Sequence, residues 1–380
     1  MKEIVIFGST GSVGKNALDV IAQNPNGFKV KGLCVHRDTQ SLRAQIKAFS
    51  PSHVCVVDEK EAEKLRGSLN GTITLFAGKT GLEEFSSVSS DISLMAIAGI
   101  SCLKPLLINM KHTKRIALAN KESVVTAGNF IFAQAKRNNT EIIPVDSEIN
   151  ALFQLCGPRH DFGKVYLTAS GGALFNYKKK DLHKVNVKTV LSHPTWKMGQ
   201  RITVDSATLV NKGFEVIETH YFFNLPYERI GIMLHRESTI HALVECHDGM
   251  LFACLYPPDM RIPIAFALNY PTRWPIATDR GQVKNFSLSF APLRYNDFPL
   301  LKIILEAARR KDNALIVLNA CDEVAISYFL QKKIKFTDIY KVMEYIFQHY
   351  PKKTVERIED VFWWDTWARQ RTKEYLEKLC

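Results

Sequence analysis

Polar side chains recur at helical spacing near the middle of the chain, in the stretch from His193 to Glu215. They combine a hydroxyl, an amide, an ammonium and a carboxylate: Thr208, Asn211, Lys212 and Glu215. A short alternating run from Arg201 to Val204 precedes them. Asp205 and Ser206 are favourable N-cap residues, so a helix is predicted from about Ala207 to Phe223. Because residues three or four apart share a helix face, the pattern indicates an anion pocket beside a metal ligand or, alternatively, a hydrated surface face.

Two carboxylates follow the apolar segment Glu141–Val145. Asp146 and Glu148 flank Ser147, at positions i and i+2. A chain can turn out of register where a strand ends, so both carboxylates would then reach one cation, and carboxylate oxygens with water suit magnesium or manganese. The same residue types are also favoured at a helix N-terminus for capping and dipole reasons. On this pattern alone, a metal site and a helix start are both open.

A glycine-rich turn, GSTGSVG at 8–14, follows the apolar segment Lys2–Phe7 and precedes a helical pattern. Glycines in a strand–turn–helix unit let the backbone approach a pyrophosphate at the helix N-terminus. A second strand is predicted at Phe28–Val35, at the distance that a dinucleotide-binding unit requires. At its end, His36 and Arg37 favour the 2′-phosphate of NADPH, whereas Asp38 keeps NADH open.

The elements that would position these groups alternate between strands and helices. Further strands are predicted at His53–Val57, Thr72–Ala77, Leu94–Ala98, Arg115–Ala119 and Glu141–Val145. This alternation predicts a doubly wound α/β sheet, in which ligands bind at the carboxyl ends of the strands. Val165 to Gly172 forms another predicted strand and small-residue turn, which would present backbone N–H groups to an anion.

The second half of the chain has a different organisation. The region 230–270 is rich in strand patterns, and the stretch from Tyr270 to about Leu293 lacks periodicity and is predicted to be a linker. Helical patterns then dominate and predict a bundle: Leu301–Arg310, Ala314–Lys332, Thr337–His349 and Thr354–Leu379. The aromatic side chains of the last helix are predicted to belong to the core: Phe362, Trp363, Trp364 and Trp367.

The composition is that of an ordinary globular protein, with 380 residues, 46% apolar and 23% charged, and the length suits two or three domains. No apolar run reaches transmembrane length, and the N-terminus reads directly as a strand, so we expect no signal peptide. Eight scattered cysteines predict buried free thiols rather than disulfides or zinc ligands. The net charge of +12 is spread along the chain, which favours anionic small molecules over nucleic acid.

Eight motifs in this order resemble the 1-deoxy-D-xylulose 5-phosphate reductoisomerase family: GSTGSVG (8–14), ALANKES (117–123), VDSEINALFQ (145–154), TASGG (168–172), HPTWKMG (193–199), ITVDSATLVNKGFEVIE (202–218), PPDMRIPI (257–264) and LNACDEVA (318–325). They are long and span nearly the whole chain. We therefore expect a Rossmann-like, doubly wound NADPH-binding domain (1–146), an α+β catalytic domain with its own sheet (147–270), a linker (271–298) and a C-terminal helical bundle (299–380).

The resemblance implies an oxidoreductase of the non-mevalonate route to isoprenoids. It would convert 1-deoxy-D-xylulose 5-phosphate into 2-C-methyl-D-erythritol 4-phosphate by retro-aldol cleavage, re-addition and reduction by NADPH. A divalent cation (magnesium, manganese or cobalt) would act as the Lewis acid that an enolate-like intermediate needs, and a closed site would retain the fragments. The resemblance also implies a cytoplasmic homodimer whose partners are small molecules, with no nucleic acid and no membrane.

Individual roles carry over onto matching positions of this sequence. The metal ligands match Asp146, Glu148 and Glu215. The phosphate-binding residues match Ser170, Ser206, Asn211 and Lys212. The catalytic groups match Lys121, Glu148 and His193, where Lys121 would orient substrate hydroxyls beside the metal, and Ser147 would be a further substrate contact.

The resemblance also assigns a mobile flap and a cofactor site. The flap matches His193–Gly199, in which His193 would contact the substrate, Trp196 would cover it and Met198 would line the closed site. The cofactor contacts match Thr10, Gly11, Ser12, Val13, His36, Arg37, Asn120, Glu122, Gly199 and Met260. His241 is a further candidate by resemblance, and the alternative is a hydrogen-bonded, half-buried histidine.

Three positions depart from the pattern of the family. Ile149 stands where the family commonly has histidine, which puts in doubt any proton-relay or hydrogen-bonding role there. After the second strand, Arg37 keeps the usual cation, but Asp38 would weaken the preference for NADPH. LNACDE at 318–323 replaces the commoner LNAANE, in a segment that we expect to be structural.

Two other functions would suit parts of the pattern. A simple dehydrogenase on the same scaffold, of the semialdehyde or homoserine type, needs no trio of carboxylates and would turn over without magnesium. An NADPH-sensing regulatory protein would bind nucleotide but would not need Glu215 or Lys212. The presence of all these groups favours the reductoisomerase.

Overall fold

The computed structural model describes residues 1–69, 71–157, 162–196, 198–278 and 287–379. The chain forms two compact units, each assembled from separate parts of the sequence. The first contains Met1–Ser123, Asn129–Asn150 and a segment that begins at Asp259, and the second contains Val124–Gly128, Ala151–Pro258 and the C-terminal part. The four consecutive domains expected from the sequence stay a prediction.

The strands are β1 (Lys2–Phe7), β2 (Phe28–Val35), β3 (His53–Val56), β4 (Thr74–Ala77), β5 (Ser90–Met95), β6 (Thr113–Leu118), β7 (Glu141–Pro144), β8 (Lys164–Ala169), β9 (Ile230–Leu234), β10 (Ile240–Glu245), β11 (Leu251–Leu255) and β12 (Ala291–Pro292). Every strand predicted in the first 150 residues is present. The ends differ most at β5, which was predicted at Leu94–Ala98.

The α-helices are α1 (Ser12–Ala22), α2 (Thr39–Phe49), α3 (Glu59–Arg66), α4 (Gly78–Phe85), α5 (Leu103–Asn109), α6 (Lys121–Asn138), α7 (Ser147–Cys156), α8 (Val187–Val190), α9 (Gln200–Thr208), α10 (Val210–Phe223), α11 (Arg261–Asn269), α12 (Pro299–Arg309), α13 (Ala314–Leu330), α14 (Phe336–His349) and α15 (Ile358–Glu377). Short 3₁₀ turns lie at Ile100–Cys102, Lys179–Lys184, Tyr227–Arg229 and Tyr295–Asp297. No helix of the described residues is long and apolar enough to cross a membrane.

The first unit is built on a parallel sheet with the strand order β4-β3-β2-β1-β5-β6-β7. The apolar run from Ile4 to Phe7 is fully buried, as expected for a strand covered by helices on both faces. The strand order reverses at β1, so the carboxyl ends of β1 and β5 flank the crevice where such sheets bind ligands. The predicted doubly wound fold is confirmed.

The early end of β5 has a steric reason. After Met95 the chain leaves the ladder and passes against the glycine turn, where a Cβ atom on Gly8 would lie 2.5 Å from the carbonyl oxygen of Ala96. The first residues of the predicted strand Leu94–Ala98 are therefore in the sheet, and the rest form the loop beside Gly8.

The second unit has a mixed sheet with the order β11-β10-β8-β9-β12. Strand β12 pairs with Leu234 and Met233 of β9, so part of the predicted linker belongs to this sheet. Residues 279–286 of that linker lie outside the described residues. The pairing joins segments more than fifty residues apart, which the local pattern did not indicate.

The C-terminal helices α12–α15 share one apolar core with α9 and α10. The aromatic cluster of α15 is only partly in this core. Trp364 is buried, whereas Trp363 is 58% exposed, because consecutive residues of a helix point in different directions. The prediction that Trp363 belongs to the core is therefore wrong.

Candidate active site

The glycine turn leaves the first turn of α1 open to a ligand. Gly8 has a φ of +86°, and a Cβ atom on Gly14 would lie 2.3 Å from the carbonyl oxygen of Gly8, so both positions require glycine. Helix α1 has Gly11 at its N-cap with no side-chain cap, and Gly11 and Ser12 are exposed. Backbone N–H groups at a helix start with no side-chain acceptor suit a pyrophosphate. Thr10 and Val13 on the same turn are half-buried.

Asp38, at the end of β2, has a defined structural role. Its carboxylate caps α2 by accepting a hydrogen bond of 3.0 Å from the backbone N–H of Ser41. This bond and that from the Ser41 hydroxyl hold the pKa of Asp38 below its usual range. His36 and Arg37 beside it are exposed. The carboxylate that kept NADH open is thus engaged in a helix cap, while the two cationic side chain types remain accessible.

Asn120 and Glu122 connect the ends of β5 and β6. The Asn120 side chain accepts from the N–H of Ser123 at 2.8 Å and donates to the carbonyl oxygens of Ile97 and Gly99 and to the Glu122 carboxylate. Glu122 in turn accepts from the N–H of Gly99 at 3.1 Å. These bonds fix the loop after β5 against the start of α6. Direct contact of either residue with a cofactor stays a prediction.

Lys121 and Asp146 form a buried ion pair where β6 and β7 end. The second oxygen of Asp146, Oδ1, is buried and has no hydrogen-bond partner among the described residues. One oxygen of Glu148 lies within 4.8 Å of one of Asp146, and the Ser147 hydroxyl donates to Glu148. Two carboxylates with an open oxygen beside a buried lysine are a donor set that a hard divalent cation fits.

Both interpretations of residues 146–148 hold in the structure. Helix α7 begins at Ser147, with Glu148 in its first turn, so the carboxylates do stand at a helix start. A capping role alone does not explain why Asp146 is held by Lys121 instead of by a backbone N–H group of α7. The arrangement is thus a helix start that also presents a carboxylate pair.

The helix predicted from Ala207 is in fact two helices. Helix α9 already begins at Gln200, and Leu209, with a φ of +58°, separates it from α10. The run from Arg201 to Val204 is therefore helical, and Asp205 and Ser206 lie inside α9 instead of capping a helix. The apolar contacts of α9 with the core override the local capping signal.

The break removes Thr208 from the predicted polar face. Its hydroxyl donates to the carbonyl oxygen of Asp205 and accepts from the N–H of Val210, so it stabilises the junction between the helices. The other three groups, Asn211, Lys212 and Glu215, lie together in the first turns of α10. Thr208 thus belongs to the framework of the site.

The polar face of α10 is buried, so the hydrated-surface alternative is wrong. Lys212 is 4% and Glu215 1% exposed, and the two side chains form an ion pair. Asn211 also donates a hydrogen bond to the Glu215 carboxylate. A lysine and an amide at the start of a helix, where the dipole is positive, provide an anion pocket.

The turn after β8 brings Ser170 towards α9. Gly171 and Gly172 have φ values of +83° and +69°, and a Cβ atom on Gly172 would lie 2.6 Å from the carbonyl oxygen of Ser206. Only glycine allows this close approach of two backbones. The predicted phosphate residues Ser170 and Ser206 therefore lie on adjoining segments.

His193 is held as the neutral Nε2–H tautomer. Its Nδ1 accepts hydrogen bonds from the backbone N–H groups of Thr195 at 3.2 Å and Trp196 at 3.0 Å. Because Nδ1 is an acceptor, the ring proton lies on Nε2, which is 3.1 Å from the Ser170 hydroxyl. Burial lowers the pKa of His193. Its ring is thus a neutral donor directed at Ser170.

Trp196 lies against a buried histidine. The rings of Trp196 and His241 are 5.9 Å apart and edge to face, and His241 stacks on Tyr256 at 3.8 Å. The His241 ring also bonds to the carbonyl oxygen of Tyr256. His241 is thus more deeply buried than the half-buried histidine of the alternative interpretation, and it supports the ring that was predicted to cover the substrate.

The remaining predicted residues lie at element boundaries. Gly199 is the exposed N-cap of α9, Met198 before it is half-buried, and Met260 is the half-buried residue that precedes α11. Lys197, inside the predicted flap, lies outside the described residues.

Family models match three parts of the chain. Residues 4–128 match 1-deoxy-D-xylulose 5-phosphate reductoisomerase, residues 142–223 match its C-terminal domain, and residues 255–371 match a DXP reductoisomerase C-terminal domain. The chain belongs to the 1-deoxy-D-xylulose 5-phosphate reductoisomerase family.

Reductoisomerases of other organisms are similar over the full length. That of Thermodesulfovibrio yellowstonii is 43% identical over 381 residues, 99% of this chain and 100% of that protein. A crystal structure of DOX-P reductoisomerase in complex with NADPH, fosmidomycin and magnesium has a TM-score of 0.93 at 32% identity, covering 100% of this chain and 99% of that one. The Zymomonas mobilis reductoisomerase in complex with NADPH has a TM-score of 0.90 at 33% identity, covering 99% of each chain.

Ile149 shows how this reductoisomerase adapts a departure from the family motif. Its side chain is fully buried in α7, so the position contributes to packing and offers no proton. The next residue, Asn150, donates a hydrogen bond of 2.7 Å to the carbonyl oxygen of Pro144. The start of α7 is thus tied to the end of β7 without a histidine.

One cluster beside the site was missed. Arg201 of α9 contacts Asp322 and Glu323 of α13, in the segment LNACDE that was expected to be only structural. The replacement of the commoner asparagine by Asp322 was a visible signal, but its partner lies more than a hundred residues away in the sequence.

Proposed function

We propose that this reductoisomerase converts 1-deoxy-D-xylulose 5-phosphate into 2-C-methyl-D-erythritol 4-phosphate with NADPH as the reductant. The observation that carries the proposal is the buried pair of Lys121 and Asp146, whose open carboxylate oxygen lies beside Glu148. A simple dehydrogenase has no need of such a set. The related structures with NADPH and magnesium support the same conclusion.

The cation ligands in this proposal are Asp146, Glu148 and Glu215. Carboxylate oxygens suit magnesium or manganese, and cobalt would also be accepted. When bound, the cation supplies Lewis-acid polarisation of the substrate oxygens. Lys121 holds Asp146 in place and presents a positive charge that orients the substrate hydroxyls.

The phosphate of the substrate would bind where α9 and α10 meet the turn after β8. Ser170 and Ser206 offer hydroxyls, Asn211 an amide and Lys212 a positive charge. Neutral His193 would donate its Nε2–H to the substrate in place of Ser170. Because these groups are positioned by backbone geometry, binding of the phosphate would hold the reacting end of the substrate in place.

The cofactor site in this proposal follows the glycine turn and the end of β2. Thr10, Gly11, Ser12 and Val13 would hold the pyrophosphate at the start of α1. The 2′-phosphate would be bound by the exposed His36 and Arg37, since Asp38 is engaged in its helix cap. Asn120, Glu122, Gly199 and Met260 would complete the nicotinamide side.

The proposed protein is a cytoplasmic homodimer that joins through β11. This strand lies at one end of its sheet, and Leu251 and Leu255 are 57% and 45% exposed. Exposed apolar residues on an open strand edge favour association with another strand. A second copy of the chain satisfies both the edge and its side chains.

The decisive experiment is an NADPH-oxidation assay with 1-deoxy-D-xylulose 5-phosphate, with magnesium and with a chelator. We expect turnover only with the metal. Turnover that persists fully in the chelator would favour the simple dehydrogenase, and nucleotide binding without turnover would favour a sensor. Glu215→Gln should abolish turnover and leave NADPH binding intact, and near-normal activity of this variant would contradict the metal assignment.

A further inference from the structure

An ion cluster joins α9 to two C-terminal helices within the second unit. Its members are two guanidiniums and four carboxylates: Arg201, Arg369, Asp205, Asp322, Glu323 and Asp365. Asp322 is fully buried, and Asp205 and Asp365 are also buried. Among these groups the acids outnumber the bases, and burial of uncompensated charge is unfavourable. The cluster therefore favours retention of a proton.

Arg201 is the link between the helices. Its guanidinium donates to Glu323 at 3.0 Å, to Asn319 at 3.2 Å and to Asp322 at 3.4 Å, all on α13. Its Nε lies 3.7 Å from the carboxylate of Asp205, one turn later on α9. The first turn of α9 is thus held to α13 by a single side chain with several acceptors.

Arg369 of α15 holds the outer side of the cluster. It donates to Asp365 at 2.7 Å and also contacts Glu323. Glu323 is consequently shared between the two arginines, whereas Asp365 contacts Arg369 and none of the α9 side chains in these bonds. This difference provides an internal comparison between two buried carboxylates of one cluster.

The proton belongs to the pair of Asp205 and Asp322. Their carboxyl groups are hydrogen bonded to each other, which requires a proton between them. Burial raises the pKa of Asp322 to about 6, although Arg201 opposes this rise. The protonation of the pair therefore changes within the range in which enzymes are assayed.

The cluster lies beside two parts of the proposed site. Asp205 directly precedes Ser206, and Arg201 follows the His193–Gly199 segment by one residue. We propose that Arg201 and Asp322 are positioning residues that hold α9, and with it Ser206, in the geometry that binds the substrate phosphate. This inference rests on the proposed function, and it adds a proton-dependent control to it.

The direction of the effect follows from the charges. Above about pH 6 the Asp205–Asp322 pair is anionic and attracts Arg201. When acid protonates the pair, Glu323 is the charged partner that remains to Arg201 among the carboxylates of α9 and α13 named here. The hold on α9 should thus weaken as the pH falls.

The test compares the wild type with Asp322→Asn, which keeps the shape but not the charge. The KM for 1-deoxy-D-xylulose 5-phosphate is measured between about pH 5.5 and pH 8, and the ratio of variant to wild type is taken at each pH. Titration of the substrate phosphate cancels in this ratio. We expect a ratio of roughly tenfold at pH 8, which approaches one at pH 5.5. Asp365→Asn is the matched control, with a ratio near one throughout.

A ratio for Asp322→Asn that is constant over the pH range would overturn the inference, since a merely structural loss acts equally at every pH. If Asp322→Asn does not fold, as judged by circular dichroism, the comparison of Arg201→Lys with Arg201→Gln replaces it. We then expect a lower KM for Arg201→Lys at pH 8, and equal KM values would count against the inference. Absence of turnover in the wild type would instead contradict the proposed function.

Discussion

The pair His36–Arg37 shows how one neighbouring residue decides a specificity question. The sequence leaves NADH open because Asp38 has the carboxylate that a ribose diol would need. In the structure this carboxylate accepts from the N–H of Ser41, so the helix cap occupies it. Which function a short polar residue serves at the end of a strand depends on the next helix, and that is legible only once the helix start is known.

We expect Arg37→Ala to raise the KM for NADPH by at least about tenfold, because a charged contact to the 2′-phosphate is lost. The KM for NADH should change little. Asp38→Asn is the control, since an asparagine caps a helix almost as well, and its NADPH-to-NADH ratio should match the wild type. Initial rates with both nucleotides measure these ratios. A strong gain of NADPH preference in Asp38→Asn would show that Asp38 does face the cofactor.

Lys212 and Glu215 belong to the site and also to the stability of α10. Both are buried and paired, so Lys212→Met leaves Glu215 buried without that positive charge. We expect the free energy of unfolding to fall by about 3 kcal/mol, measured by urea denaturation in a chelator. The double variant Lys212→Met/Glu215→Gln should recover most of this loss, while neither variant turns over. Equal destabilisation of the two would contradict the pairing argument.

At the scale of elements, the sequence predicts the regular parts well. Strands β1 and β2 agree with their predicted ends because both are short apolar runs bounded by turn residues. The α9–α10 break was not predictable in the same way. Leu209 adopts a positive φ although it is not glycine, and the strain is compensated by core packing of the flanking helices. Local propensity carries no information about such compensation.

The turn at Gly171 and Gly172 is the element that sets Ser170 against α9. Gly172→Ala would place a Cβ atom 2.6 Å from the carbonyl oxygen of Ser206 at an unfavourable φ. We expect the KM for the substrate to rise several-fold and the free energy of unfolding to fall by about 1 kcal/mol or more. Gly67→Ala is the control, because no atom lies within 4 Å of its Cβ position. Similar behaviour of the two variants would show that the turn does not position the site.

At the scale of the whole molecule, the two sheets differ in how far the sequence predicts them. The parallel sheet follows from a repeated strand and helix pattern, whose connections are local. Strand β12 and the Arg201–Asp322 contact join residues that are distant in sequence, so no window of the sequence contains both partners. The eight cysteines were predictable from composition, and those in the described residues are free thiols.

The exposed edge of β11 leads to a prediction about assembly. Leu251 and Leu255 are four residues apart on one strand and therefore point to the same face. We expect Leu251→Lys/Leu255→Lys to convert the proposed dimer into a monomer, since two charges would be buried at the new interface. Light scattering after size-exclusion chromatography measures the mass.

Trp363→Lys provides the control for this change. Trp363 is equally exposed, at 58%, but it lies on helix α15, where no open strand edge is available for pairing. Its replacement should leave the mass unchanged, which separates a specific edge contact from a general effect of removing surface apolar groups. A dimer that survives both leucine substitutions, or one that is lost in Trp363→Lys, would place the interface elsewhere than β11.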